Sequence, residues 1–255
     1  MSDERLNALR SFLKDTIRQQ TDFRATDQAR GVPPPPLQKP CPSDCKRIAL
    51  PPPESLRALG KLDLFTAIAN RESHREFAAA PLSLDELAFL LWATQGVREV
   101  LNPSAALRTV PSAGARHPFE TYIAVRTVKG LKPGLYRYLP FDGELAQLSR
   151  TNNVVSQAGD ACLGQNWMAD AAAVFFWTAT PQRTEWRYGA ASHKVIALDA
   201  GHVCQNLYLA CEAIGCGTCG VGAYSQEAVD KLLAVDGNEE FVVYIAPVGK
   251  KMRPA

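Results

Sequence analysis

A block of prolines constrains the fold of this chain more than any other feature. Nine of the 18 prolines fall between Pro33 and Pro53, with four in a row at 33–36 and three at 51–53. Proline lacks the amide donor and fixes φ, so this stretch cannot form a helix or a central strand. We expect it to run extended over a surface, either as a disordered linker or as an arm across a neighbouring subunit.

The proline block divides the chain into two predicted parts. Residues 1–60 hold a helix over 5–20 and the proline-rich arm, and residues 61–255 predict one folded domain. The helix is indicated by apolar side chains at helical spacing with charged residues between them. These side chains are Leu6, Leu9, Leu13 and Ile17.

Composition argues against several classes of protein. The net charge is +2, from 28 basic and 26 acidic residues, and no basic stretch interleaves with aromatics as in a nucleic-acid-binding surface. The longest apolar run, 171–177, is too short to cross a bilayer, and the charged N-terminus has no signal-peptide core. Seven scattered cysteines, an odd number, argue against an extracellular disulfide framework. We therefore expect a cytoplasmic protein that binds neither nucleic acid nor membranes.

From about Leu62 onward the pattern predicts a mixed α+β domain. Ser83 and Glu86 are spaced as a capping box, and two β-rich stretches separated by a short turn predict an antiparallel hairpin. The longest predicted helix is apolar almost all round, which favours burial, including burial in a dimer core. The predicted helices cover 63–71, 83–96 and 195–215, and the predicted strands cover 120–128, 134–140, 171–180 and 240–249.

A charged stretch at 70–77 could bind an anion. Arg71, Ser73 and Arg75 alternate, so in an extended segment all three side chains would project to one side. Two guanidiniums and a hydroxyl suit a phosphate, because arginine matches its oxygens bidentately. The alternative is a solvated polar turn, which the spacing alone favours.

A run of small residues at 111–115 leaves the main chain uncovered. Pro111 stiffens the entry, Ser112 offers a hydroxyl, and Ala113 and Gly114 have almost no side chain. A flat aromatic ligand needs such a surface if backbone groups are to reach its edge. The stretch has neither the spacing of a dinucleotide-binding turn nor the ending of a P-loop. A tight loop without a ligand is the alternative.

The cysteines and histidines give weaker signals. Cys41 and Cys45, together with Cys216 and Cys219, could form a four-cysteine zinc site, although simple packing is the preferred interpretation. None of the four histidines has metal-binding spacing, and His202 is expected to be a buried histidine satisfied by its neighbours on the long helix.

Taken in order, several motifs are similar to those of the FMN-dependent nitroreductase superfamily, and specifically of its SagB-type dehydrogenase branch, which includes azoline oxidases. The similarity covers residues 60–250, and the motifs are RESHREF, PLSLDELAFLLWATQGV, LRTVPSAGARHPFE, GLYRYLP, WRYG, LDAGHVCQNLYLACEAIGCGTCGVGAY and APVGK. The resemblance implies a mixed, mainly antiparallel sheet flanked by helices. It also implies an intertwined homodimer with FMN at the subunit interface.

The resemblance also assigns roles to residues. Arg71, Ser73 and Arg75 would hold the FMN phosphate and ribityl chain, and Lys250 or Lys251 would help with the phosphate. The other cofactor-binding positions would be Pro111, Ser112, Ala113 and Gly114 at the isoalloxazine edge, from the other subunit, and Val221, Gly222 and Ala223 near the flavin N5.

The resemblance points to Arg187 and Tyr188 as the catalytic pair. Azoline-oxidising members have a Lys-Tyr pair at the position of Arg187-Tyr188. Arginine stays protonated and cannot act as a base, whereas Tyr188 could still donate or relay a proton. Azoline oxidation is therefore in doubt, and a turn without a role is the alternative for these residues.

The expected activity is a ping-pong hydride transfer through FMN. Its donor would be NAD(P)H or an azoline, and nitroaromatics, quinones and peptide azolines all stay open as substrates. Two other functions are considered, namely an FMN-binding module without turnover and a zinc-stabilised interaction protein.

Overall fold

The structure, a computed structural model, describes residues 3–252. Its main feature is a seven-stranded sheet with the order β1-β6-β5-β4-β7-β9-β8, in which every neighbouring pair is antiparallel, and β2 and β3 form a separate hairpin. The strands are β1 Lys46–Ala49, β2 Val97–Asn102, β3 Ala105–Arg108, β4 Phe119–Val125, β5 Gly134–Leu139, β6 Glu144–Ser149, β7 Ala173–Ala179, β8 Cys216–Thr218 and β9 Phe241–Lys250. The predicted α+β class is confirmed.

Helices cover both faces of this sheet. They are α1 Asp3–Ser11, α2 Thr16–Gln20, α3 Leu64–Asn70, α4 Leu84–Gln95, α5 Val154–Ala161, α6 Gln182–Tyr188, α7 Ser192–Ala213 and α8 Gln226–Leu233. Side chains of α4 and α7 belong to one buried cluster, and those of α5 and α8 belong to the other. Strand β7 serves both clusters, because Phe175 and Trp177 point to the first face while Val174 and Phe176 point to the second. Within residues 3–252, none of the helices is long and apolar enough to cross a membrane.

The strongest local predictions are confirmed. The Ser83 hydroxyl accepts the Glu86 amide at 3.1 Å, and the Glu86 carboxylate accepts the Ser83 amide at 2.8 Å, which completes the capping box. The predicted hairpin is formed by β4 and β5, with Thr121 opposite Tyr138.

The prediction of one N-terminal helix over 5–20 is wrong. Two short helices, α1 and α2, are separated by turns at 12–15. Asp15 directly precedes the second helix and pairs with Arg18 at 2.8 Å. Leu9 and Leu13 are mostly exposed, so no packing on this chain forces the apolar stripe into one continuous helix.

The proline-rich segment packs on its own chain, so it is not a disordered linker. Within it, Lys46–Ala49 form the edge strand β1, which pairs with β6. Carbonyl oxygens of Val32, Pro36, Leu37 and Pro40 accept hydrogen bonds from buried side chains of the folded domain. A proline run has no amides to pair with these oxygens, and they are therefore free to bind arginine and tryptophan donors.

Candidate active site

Tyr208, on the buried helix α7, brings together two of the predicted site segments. Its hydroxyl lies 3.0 Å from the Ser73 hydroxyl and accepts the Gly220 amide at 2.7 Å. The Arg71 guanidinium lies over the Tyr208 ring, 5.4 Å from the centroid. The predicted phosphate-binding segment and the glycine loop before Val221 therefore both contact Tyr208, a residue that sequence reasoning missed.

The predicted cationic residues differ in their surroundings. Arg75 is exposed, and no ion pair to it is found in the described part of the chain. The Lys250 ammonium contacts Glu86, and the Lys251 ammonium lies 2.6 Å from Glu212. Burial is the largest single influence on the pKa of Lys250 and lowers it, but the hydrogen bond to Glu86, the charge of that carboxylate and the interaction with Cys216 together raise the pKa. Lys250 is the last residue of β9 and Lys251 follows it, and each is already paired with a carboxylate.

Asp199 holds the run of small residues at 111–115. The Ser112 hydroxyl donates to its carboxylate at 2.6 Å, and the Ala113 amide donates at 3.2 Å. The same Ser112 oxygen accepts the His117 amide at 2.9 Å. Burial raises the pKa of Asp199, while the hydrogen bonds from Ser112 and Ala113 act against this rise. This carboxylate, which sequence reasoning missed, fixes the loop to α7.

Gly114 lies directly against the predicted catalytic pair. Its φ is +59°, and a Cβ atom there would lie 2.7 Å from the Tyr188 hydroxyl and 2.9 Å from Arg187 Cδ. The Arg187 guanidinium lies over the Tyr188 ring at 5.6 Å. These two residues end α6 rather than line a turn, so the structure brings the loop at 111–115 and the catalytic pair into one place.

The two groups of predicted residues lie on opposite faces of α7. Asp199, which binds the loop at 111–115, precedes Tyr208 by nine residues, which corresponds to a rotation of about 180° and a rise of about 13.5 Å. One flavin could not contact both groups of a single chain if the helix lies between them. Within one chain, the predicted phosphate-binding residues near Tyr208 are thus separated from the loop at 111–115, which is predicted to contact the edge of the flavin ring.

An apolar cavity of about 420 Å³ adjoins the Gly222 loop. It is lined by Phe12, His193 and Gly222, by α7 side chains and by β9 side chains, including Ile196, Ala200, Val243 and Tyr244. A Cβ atom added to Gly222 would meet nothing within 4 Å, so this loop leaves open space beside it. A flat apolar ring has room here, next to the predicted residues Val221, Gly222 and Ala223.

One alternative is excluded and one expectation is corrected. The cysteines cannot form one four-cysteine site, because Cys41 and Cys45 precede β1 while Cys216 lies in β8 at the opposite edge, six strand spacings or about 29 Å away. All seven cysteines are free. His202 is half exposed instead of buried, because its position on α7 faces outward, 4.0 Å from Asp199.

His117, next to the loop at 111–115, is buried among positive charges. Its pKa is lowered to about 3, first by burial and then by the nearby Arg108, Arg116 and Arg183. Between pH 6.5 and 3 the unfolded chain binds a proton that the folded chain does not, so stability falls as the pH falls. From pH 7 to pH 4.5 this histidine alone should cost about 2–3 kcal/mol.

Unfolding in urea at the two pH values tests this expectation. His117→Asn keeps a residue that tolerates the positive φ of 45° and removes the titrating ring. The variant should lose about 2–3 kcal/mol less stability than the parent chain on acidification. Equal losses in both proteins would show that His117 titrates normally.

Comparison with known proteins identifies the family to which this chain belongs. The profile of the nitroreductase family matches residues 68–250, and the chain belongs to this family. Members of the family generally bind flavin, and relatives support an oxidoreductase in general terms.

Particular relatives agree with this assignment. MJ1384, a nitroreductase homologue from Methanocaldococcus jannaschii, is 32% identical over 82% of this chain and 98% of its own length. A crystal structure of a nitroreductase homologue from Anabaena variabilis is 30% identical, with a TM-score of 0.67, over 82% of this chain and 42% of that one. The trifolitoxin-processing protein TfxB of Rhizobium leguminosarum bv. trifolii is 27% identical over 61% of this chain. This chain spans less than half of TfxB, namely 44%.

Proposed function

We propose that this chain is an FMN-dependent oxidoreductase of the SagB-type dehydrogenase kind that works as a homodimer. The observation that carries the proposal is the gathering of the predicted phosphate and ring-edge residues on two faces of α7 within a nitroreductase fold. When bound, FMN would supply the hydride chemistry of a ping-pong cycle, accepting a hydride at N5 and returning it to an acceptor. The protein would supply position, charge and exclusion of water.

The phosphate would lie against Arg71, Ser73 and Arg75. Two guanidiniums and a hydroxyl match its oxygens, and the contacts of Arg71 and Ser73 with Tyr208 hold that side of the site in place. Lys250 and Lys251 are assigned to the same phosphate. Each would share its ammonium with the carboxylate that it already contacts.

The flavin ring would lie between the main chain at 111–114 and the loop at 221–223. Because Asp199 already binds the Ser112 hydroxyl and the Ala113 amide, its role would be to fix the loop so that the uncovered main chain faces the pyrimidine edge. The apolar cavity beside Gly222 offers space for the ring near N5. Donors fixed in this way would favour the reduced, anionic ring.

The two faces of α7 are the reason for proposing a homodimer. If one flavin needs both sets of residues, it must contact the phosphate-binding residues of one chain and the loop at 111–114 of another chain. An apolar face of α3 is available for such contact, since Leu64, Phe65 and Ile68 are 67%, 82% and 57% exposed. Patches of this kind on a folded chain mark protein interfaces.

Arg187 and Tyr188 would act at the reacting face. Arg187 cannot remove a proton, but its guanidinium could hold an anionic group of a substrate. Tyr188 has a hydroxyl beside Gly114 and could donate a proton to an acceptor. This chemistry fits NAD(P)H as the donor with a nitroaromatic or quinone acceptor. The similarity to TfxB keeps a modified peptide open as a substrate.

The absorbance spectrum of the purified protein tests the cofactor first. Two flavin bands between about 300 and 600 nm, with FMN released on heating, would support the proposal. A colourless protein that also fails to take up added FMN would end it. Anaerobic mixing with NADH or NADPH then separates an enzyme, whose flavin bleaches, from an FMN-binding module without turnover.

Replacing Arg71 tests the phosphate assignment. Arg71→Ala removes a charge-assisted hydrogen bond to the phosphate, so FMN should bind at least about tenfold more weakly. Flavin content after gel filtration and a titration with FMN measure the change. Arg47→Ala is the matched control, because Arg47 pairs with Glu144 at the far edge of the sheet. Unchanged flavin retention in Arg71→Ala would contradict the assignment.

A further inference from the structure

The N-terminal segment 26–40 lies outside the part of the chain that matches the family, which begins at residue 68. It nevertheless contacts α6 at several points. The Gln28 amide donates to the Trp186 carbonyl at 2.8 Å, and the Trp186 indole N–H donates to the Val32 carbonyl at 2.8 Å. Arg183 Nε donates to the Pro36 carbonyl at 2.8 Å. The segment therefore binds both the backbone and the side chains of the helix that ends in Arg187 and Tyr188.

A buried carboxylate ties this segment and α6 to the sheet. Oε1 of Glu120, on β4, accepts the Lys39 amide at 2.7 Å and also the Arg183 guanidinium. The side chains of Glu120 and Arg183 are 2% and 3% exposed. Buried charge pairs of this kind depend on geometry, and a shift of one partner leaves the other uncompensated. Strand, segment and helix are therefore fixed with respect to one another.

The loop at 111–116 is attached to the same assembly. Arg116 Nε donates to the Arg183 carbonyl at 2.6 Å, and its guanidinium lies over the Trp186 ring at 4.7 Å. Arg116 is 1% exposed, so these contacts replace its solvation. Gly114 and Tyr188 are thus held by the same residues, because Arg116 of the loop contacts Arg183 and Trp186 of α6.

We propose that segment 26–40, acting through Arg183 and Trp186, positions the C-terminal end of α6 and so sets the place of Tyr188 over Gly114. Arg183 and Trp186 are positioning residues in this account. Their catalytic importance rests on the proposed function, but the position of Tyr188 can be measured without any flavin.

The test is ¹⁹F NMR of protein labelled with 3-fluorotyrosine. The chain has seven tyrosines, and the Tyr188 resonance is assigned by its loss in Tyr188→Phe. Trp186→Phe keeps a ring but removes the N–H donor, and Arg183→Met keeps the length but removes the guanidinium. Both variants should shift or broaden the Tyr188 resonance, while a tyrosine outside the contacts of segment 26–40, such as Tyr224, stays unchanged.

Arg137→Met is the matched control. Arg137 is equally buried and donates to the Pro40 carbonyl of the same segment at 2.8 Å, but it belongs to β5 and not to α6. It should lower stability without moving the Tyr188 resonance. If Arg183→Met does not fold, Trp186→Phe decides the question.

Two results would overturn the inference. One is an unchanged Tyr188 resonance in folded Trp186→Phe, and the other is an equal change in Arg137→Met. A protein that binds no FMN would remove the proposed function but leave this result valid, since the spectra are recorded without flavin. If the protein binds FMN but the Tyr188 resonance does not change in Trp186→Phe, the proposed function stands and this inference fails.

Discussion

Glu120→Gln is expected to lower the free energy of unfolding by about 3 kcal/mol, the largest effect of any conservative change proposed for this chain. The substitution keeps the shape of the side chain and removes its charge. The Arg183 guanidinium would then be a buried cation without a counter-charge, among the further cations Arg108 and Arg116. Arg108 and Arg116 are buried as well, and burial lowers the pKa of Arg108 to about 10.

Urea unfolding at pH 7 measures the loss, with Glu144→Gln as the control. Glu144 pairs with Arg47 at 3.3 Å, but the Arg47 side chain is 43% exposed. Exposed pairs contribute between about 0 and 1 kcal/mol, so the control should remain close to the parent chain. If both variants lose the same small amount, Glu120 does not compensate a desolvated arginine.

Gly114→Ala should reduce turnover of the flavin-loaded enzyme by about tenfold to a hundredfold. The new methyl group would lie 2.7 Å from the Tyr188 hydroxyl and 2.9 Å from Arg187 Cδ, so both side chains must move. Displacement of catalytic groups by about 1 Å can cost about a hundredfold in rate. Steady-state rates with the donor that bleaches the bound flavin measure the effect.

Gly143→Ala separates this clash from backbone strain. The φ of Gly143 is +66°, close to the +59° of Gly114, but a Cβ atom there would meet nothing within 4 Å. Both alanines carry the cost of a left-handed conformation, about 1–2 kcal/mol. Only Gly114→Ala should lose turnover. A similar loss in Gly143→Ala would mean that global destabilisation, rather than contact with Tyr188, causes it.

Local signals made much of the fold predictable. The capping box of α4 depends only on residues three apart, and the hairpin of β4 and β5 depends on two neighbouring β-rich runs. Two short elements, α6 and β8, were not predicted. The three residues of β8 are too few to show a period, α6 has too few apolar residues to show one, and the positions of both elements are fixed by packing.

The candidate site was predictable in part for a related reason. Short motifs contain Ser112, Gly114 and Arg71. Asp199 and Tyr208 instead lie in a mostly apolar helix, where a single polar residue gives no recognisable motif. Asp199 and Tyr208 become important only because loops distant in sequence pack against α7. Ser112 is 87 residues from its partner Asp199, and Ser73 is 135 residues from its partner Tyr208. The pairing of Lys250 and Lys251 with carboxylates is equally a product of the tertiary fold.

The proline-rich segment has one more consequence, which concerns aggregation. An open sheet edge can accept a strand from another molecule and start uncontrolled association. At this edge β1 is only four residues long, carries the charged Lys46 and Arg47, and is followed by three prolines that cannot donate to a ladder. The prolines next to β1 therefore leave another chain little backbone with which to continue the sheet.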